Sequence, residues 1–176
     1  MNSIESMDIV ADHLSPDVLQ QYGALPWRRN RRGEIEILLI TSRRRMRWII
    51  PKGWPVKGRP DYLSAALEAF EEAGVIGEVY PHPIGDYHYL KNGREGLSQR
   101  CRVTLFSLHV RGTLLNWPEI GQRKRRWVSL KEAAELIADP ELARLVRSVG
   151  SNLRVLTKLD EAAPSVQSPE DMSGLR

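Results

Sequence analysis

The sequence predicts an α/β domain in which a mixed β-sheet lies between helices, an α/β/α sandwich. Two observations predict it. The patterns along the chain run strands, one helix, several strands, then helices, an order that suits a sheet covered on both faces. The 176 residues, 41% of them apolar and five of them Trp, suffice for one packed core with length left for tails. The expected domain spans 19–150. It is preceded by an N-terminal extension, 1–18, and followed by a C-terminal tail, 151–176, expected to be flexible.

In chain order, Ser15 is placed to cap a short helix over Ser15–Gln21. GALPWR then leads into a charged turn at Asn30–Gly33. EIEILLITS alternates and becomes apolar from Ile37 to Ile40, which reads as a strand. Trp48, Ile49 and Ile50 make a second short strand, stopped by Pro51. PKGWPVKGRP is a Gly- and Pro-rich loop. From Asp61, Ala65, Ala66, Ala69, Phe70 and Ala73 fall on one helical stripe, with Asp61 as expected N-cap and Gly74 as the stop. Strands follow in GEVYPHPIGDYHYL, QRCRVTLFSLHV and RWVSL, with the turn KNGRE between the first two. Helices are expected over Leu130–Ala138 and PELARLVRSV, the latter with Asp139 as cap and Pro140 in the first turn. Beyond Gly150 periodicity fades, and EAAPSVQSPEDMSGLR reads as a disordered tail.

No segment has the roughly 18 consecutive apolar residues of a membrane span. The acidic start MNSIESMDIVADHLSPD lacks a basic region followed by an apolar block, so no signal peptide is expected. The lone Cys101, in CRVTLF, reads as a strand thiol without a disulfide partner. The expected location is the cytoplasm. The formal charge is +4, but its distribution says more. Cations crowd into WRRNRR (27–32), SRRRMR (42–47) and QRKRR (122–126), and acids into the N-terminal segment, 68–72 and the C-terminal region. This pattern suits a polyanionic ligand held with metal, a solvated basic surface or a nucleic-acid backbone.

The chemistry lies in GWPVKGRPDYLSAALEAFEEAGV, residues 53–75. On a helix Glu71 and Glu72 each lie within roughly 60° of Glu68 in projection. Three like charges on one face make an ordinary acidic surface or a site for a hard divalent cation, which takes oxygen ligands. The preceding loop separates these readings, because the whole segment resembles the Nudix box. Gly53, Glu68, Glu71, Glu72, Gly74 and Val75 match that pattern, and Ala69 is a small version of its first aliphatic. The resemblance implies a Nudix-type α/β/α sandwich and a hydrolase acting on phosphorus-containing acid anhydrides. It also implies Mg2+ as cofactor, with Mn2+ as a substitute. It makes Glu68, Glu71 and Glu72 the catalytic metal ligands, with the Gly53 backbone as a further contact to metal or phosphate.

Two positions depart from the box. Arg59 stands at its first glutamate and Leu67 at its arginine, which in a full box helps orient the neighbouring glutamates. Leu67 cannot donate a hydrogen bond, so catalytic efficiency is in question.

Over residues 20–150 the chain also resembles one branch of the family, the diphosphoinositol polyphosphate phosphohydrolases and diadenosine polyphosphate hydrolases. The segments that carry this are RWIIPKGWP, ILLITSRRR and GQRKRRW, although Arg126 stands where an acid often precedes the Trp. A polyphosphorylated small-molecule substrate needs many donors, and arginine binds phosphate through a planar fork. The expected substrate-binding residues are Arg28, Ser42, Arg43, Arg45, Lys52, Arg123 and Lys124, with Arg94 and Arg100 as further candidates. Trp54 either packs on a ligand ring or covers the core, and of the other Trp residues Trp48 is expected nearest the site. His13, His82, His88 and His109 read as structural or surface residues. Two alternatives remain: a catalytically weakened phosphate-ligand sensor on the same fold, or an RNA pyrophosphohydrolase. No module for single-stranded RNA with interleaved aromatics is apparent.

Overall fold

A computed structural model describes residues 17–93 and 96–157 of the chain. Its elements are β1 (Leu19–Arg29), β2 (Ile35–Thr41), β3 (Trp48–Ile49), β4 (Lys52–Gly53), α1 (Asp61–Ala73), β5 (Val75–Asn92), β6 (Ser98–Thr113), β7 (Arg125–Ser129), α2 (Leu130–Leu136), α3 (Pro140–Ser151) and α4 (Arg154–Thr157). The strands form one mixed sheet in the order β3-β2-β1-β6-β5, with β4 on β1 and β7 on β2. Only β1 and β6 run parallel among the named strand pairs.

Helices cover both faces, as expected. On one face Ala65, Ala69 and Ala73 of α1 pack against Ala24, Leu38, Ile40, Phe106 and Leu108. On the other, Ala133, Leu142, Val146 and Leu156 of the later helices pack against Leu25, Ile37, Leu39, Val103 and Leu105. Neighbours in the strands thus serve opposite cores, which is why β2 is buried almost throughout.

The expected strand at 34–42 and the helix from Asp61 are present, the latter closed by Gly74 in the left-handed region (φ 64°). Asp139 caps α3 by accepting from the Glu141 and Leu142 N–H groups, with Pro140 at the helix start. Several expectations are corrected. Residues 19–21, assigned to a helix, belong to β1, the central strand; Ser15 lies outside the described residues. Gly23 and Pro26 hid this strand. A Cβ at Gly23 would lie 2.7 Å from Ile50 Cδ1, so glycine lets the chain of Ile50 and Lys52 approach. The Ala24 N–H donates to Pro51 O at 3.0 Å. Two residues on, the Pro26 nitrogen faces the same flank. It falls between β4, paired up to Gly23, and β2, paired from Trp27, where a missing N–H breaks no ladder bond.

Asp61 is not the cap of α1. Pro60 holds that position without a side-chain hydrogen bond, and Asp61 is the first helical residue, where its charge meets the helix dipole. The loop expected at 51–60 includes the short strand β4. α2 ends at Leu136. The packed chain continues past 150, because α4 buries Leu156 completely and its carbonyl accepts from Ser107 Oγ at 3.0 Å. The rest of the expected tail, 158–176, and residues 1–16 lie outside the described residues. Among the described residues no helix is long and apolar enough to cross a membrane.

Candidate active site

β4 and α1 place the box glutamates. Lys52 and Gly53 pair with Gly23 and Tyr22 of β1, which anchors the loop to the sheet. The loop is tied to the helix where Val56 N–H donates to Ser64 Oγ at 3.1 Å. Glu68 then lies directly on Gly53: a Cβ there would be 2.0 Å from Glu68 Oε1. Glycine at 53 is therefore a space requirement set by a carboxylate. Glu72 is buried; its Oε2 accepts from Lys52 N–H at 3.1 Å and its Oε1 from Arg123 Nη2 at 2.5 Å.

The electrostatics follow from this crowding. Burial pushes Glu68 up to about 7, and Glu72, Glu71 and Glu119 push the same way, while Lys52 opposes them. Burial also raises Glu72, against the pull of Arg123 and Lys52. Burial lowers Lys52, whose ammonium lies 4.9 Å from the Tyr89 ring centre.

These groups form one wall of a cleft of about 1400 Å3. Glu68, Glu71, Glu72 and Glu119 supply the acidic part of its lining, and Ser42, Arg43, Arg44, Arg45 and Arg47 a basic part that meets it where Arg43 lies 3.9 Å from Glu119. Lys52, Tyr87, Tyr89 and Gln21 line a further part, where Tyr89 donates to Gln21 Oε1 at 2.7 Å. Among the described residues the buried Tyr87 hydroxyl has no hydrogen-bond partner.

The structure brings together Gly53, Glu68, Glu71, Glu72, Ser42, Arg43, Arg45, Lys52 and Arg123, with Arg100 also on the cleft. It does not bring Arg28 or Lys124. Arg28 donates to Glu36 (3.0 and 3.1 Å) and stacks 4.0 Å over the Trp127 ring. Lys124 is exposed, and it is its backbone N–H that is used, donating to Thr41 Oγ1 at 2.9 Å. Arg123 reaches the cleft, but its Nε, Nη1 and Nη2 donate to Glu119, Thr41 O and Glu72 respectively. Arg94 lies outside the described residues, as does His13.

Trp48 lines the cleft. Trp54 neither covers the core nor lies buried: it is 43% exposed at the cleft and pairs with Lys91 Nζ, 4.5 Å from its ring centre. His109 stacks on Trp27, and His88 sits 3.4 Å from Glu141. Cys101 is buried. Glu119 is the acid that sequence reasoning missed. Its spacing of four residues before Arg123 was visible, but WPEIGQ has no periodicity that aims it anywhere.

Among the described residues no three carboxylate, imidazole or thiol side chains converge as a ready-made cation cage. Glu72 is committed to Arg123 and Lys52, which is one physical reason. The donor chemistry nevertheless fits a hard divalent cation. The acidic wall offers only carboxylate oxygens, and the repulsion that lifts Glu68 is relieved by positive charge placed beside it.

No family model matches the chain. Among solved structures it superposes on an Ap4A hydrolase of C. elegans with a TM-score of 0.57 at 22% identity, covering 78% of this chain and 99% of that one. The fold is therefore the Nudix fold. In sequence it is 33% identical over 108 residues to Nudix hydrolase 13, mitochondrial, of Arabidopsis thaliana, covering 58% of this chain and 54% of that protein. It is 32% identical over 108 residues to diphosphoinositol polyphosphate phosphohydrolase 3-beta of Bos taurus, covering 59% and 61%. The matches thus span little more than half the length of these curated relatives. The chain thus shares the fold of these solved structures, and over part of its length its sequence is similar to Nudix hydrolases, a diphosphoinositol polyphosphate phosphohydrolase among them.

Proposed function

We propose that this protein is a metal-dependent hydrolase of phosphoanhydride bonds in a highly phosphorylated small molecule, of the diphosphoinositol polyphosphate or diadenosine polyphosphate type. One observation carries the reading: a single cleft is lined by both a cluster of carboxylates and a cluster of arginines. The relatives' names, Nudix hydrolase, Ap4A hydrolase and diphosphoinositol polyphosphate phosphohydrolase, support it.

Glu68 and Glu71, with the Gly53 backbone, would hold Mg2+ or Mn2+, and Glu72, still held by Arg123, would complete the set by giving up its contact with the Lys52 N–H. Such an ion supplies neutralisation of phosphate oxygens and a lowered pKa for bound water. The arginines at 43 and 45, with Ser42, bind the outer phosphates, and Lys52 supplies positive charge deeper in the cleft. A glutamate of the wall takes the proton of the attacking water as its oxygen bonds to phosphorus. The bridging P–O bond breaks, and the product phosphate carries away the electron pair. The cleft volume exceeds the roughly 300–1,000 Å3 usual for small ligands, which suits a bulky polyanion.

Arg59 and Leu67 favour a second reading, a weakened relative that binds such ligands without turning them over. The deciding experiment measures phosphate and nucleotide release with Mg2+ and with Mn2+. The panel is diadenosine penta- and hexaphosphate, a diphosphoinositol polyphosphate, ADP-ribose and a triphosphate-capped RNA. Metal-dependent turnover of one class establishes the hydrolase; tight binding with no turnover establishes the sensor.

A further inference from the structure

We propose that Arg123 is a positioning residue for the metal site, reaching in from the segment before β7 to orient Glu72, the task for which Leu67 has no donor. The inference rests on the reading that the box carboxylates hold a divalent cation. Its grounds are geometric. The Arg123 side chain is 7% exposed and that of Glu72 10%. Its Nη2 donates to Glu72 Oε1 at 2.5 Å, its Nε to Glu119 Oε2 at 2.7 Å and its Nη1 to Thr41 O at 3.0 Å. One rigid fork thus joins α1, the end of β2 and the segment before β7. Only a guanidinium offers three donors in this fixed plane; a lysine ammonium is a single flexible point charge. The other oxygen of Glu72 is held by Lys52 N–H at 3.1 Å, so the carboxylate is restrained at both ends. With each of its three nitrogens donating to a protein acceptor and its side chain buried, Arg123 acts through Glu72 and not through the substrate.

Charge and orientation make opposite predictions, and that makes the proposal testable. Removing Arg123 adds net negative charge at the site, which by itself tightens cation binding. Removing an orienting partner of a ligand loosens it, typically by 10- to 100-fold. Mn2+ binding is measured by titration on full-length wild type, Arg123→Met and Arg123→Lys, alongside thermal melting and kcat and KM for the substrate found by the panel. The expected result is Mn2+ affinity at least tenfold weaker in Arg123→Met. Arg123→Lys, which keeps the charge and guards against a failure to fold, is expected to be weakened as well. In both, kcat falls while KM changes little. Unchanged or tighter Mn2+ binding in Arg123→Met overturns the proposal, as does wild-type behaviour of Arg123→Lys. A raised KM at unchanged kcat overturns it too, by making Arg123 a substrate contact. Wild-type protein that neither binds Mn2+ nor turns over any compound would instead defeat the hydrolase reading, and this proposal with it.

Discussion

Residues 42–47 and 122–126 are equally basic in sequence and opposite in structure. The arginines at 43, 44, 45 and 47 line the cleft, and the one ion pair described for them is loose, Arg43 to Glu119 at 3.9 Å with the arginine 61% exposed. In the later segment, Arg123 is buried against Glu72 and Glu119. Arg125 donates to the carbonyls of Ala73, Gly74 and Leu114 while stacking 3.9 Å from the Trp117 ring centre. It thereby closes the C-terminus of α1, where carbonyls otherwise lack partners. Successive side chains alternate from the segment before β7 into the strand: Arg123 and Arg125 turn inward, Lys124 and Arg126 outward. The arginines of 42–47 meet solvent and are available to a ligand; Arg123 and Arg125 hold the helix that carries the glutamates. The difference teaches that a cationic cluster's role follows from which acceptors its fold supplies.

The comparison is sharpened first at the acids that the inner cluster serves. Glu72→Gln removes a charge held by Arg123 and Lys52, and turnover is expected to fall on the order of 100- to 10,000-fold, as for loss of an acid–base or electrostatic group. Single-turnover kinetics check it; activity within tenfold of wild type would remove Glu72 from the chemistry. Arg125→Met leaves buried carbonyls unsatisfied. It should cost about 2 kcal/mol, or roughly 4–8 °C in Tm, with turnover per folded molecule retained. Differential scanning calorimetry with activity normalised to folded protein distinguishes this from a catalytic role.

Arg43→Ala combined with Arg45→Ala should do the reverse: KM about tenfold higher, since two phosphate contacts are lost at a solvated rim, with kcat and Tm near wild type. A loss in Tm instead would mean that the rim is structural. Arg28→Met tests the third basic segment. Its ion pair with Glu36 is partly exposed, so at most about 1 kcal/mol of stability is expected to go, and KM is expected to stay put.

A pH series probes the acidic wall itself. Glu68 holds its proton up to about 7 when folded, against 4.5 ordinarily, chiefly through burial and then through its carboxylate neighbours. Between pH 4.5 and 7 the folded state therefore binds more protons than the unfolded chain, and stability falls as pH rises through that window. Below it the group has no effect, and above it the full cost persists. Melting curves of Glu68→Gln and wild type without divalent cation should diverge across this window in favour of the variant. A constant difference would show an ordinary carboxylate, and added Mg2+ should shrink the divergence.

The helix and its acids were legible because both signals are local. The alanine stripe, Glu68, Glu71, Glu72 and the stop at Gly74 lie within one short segment, and 3.6-residue periodicity alone sets their faces. β1 was not legible. Gly23 and Pro26 read as breakers until the flank each faces is known, and that flank belongs to Ile50, Pro51 and Lys52, far along the chain. Arg28 looked like a phosphate ligand because its partners, Glu36 and Trp127, come from other strands.

By itself, then, the sequence determined the sandwich, the loop–helix segment and the chemistry of its carboxylates, since these follow from nearest-neighbour spacing and side-chain type. Only the tertiary structure decided that β1 is the sheet's central strand, that Glu119 joins the acidic wall, that Arg123 and Arg125 turn inward and that Arg28 stays away. Each of those depends on acceptors or apolar surface brought in from distant chain, and distance along a sequence carries no direction in space.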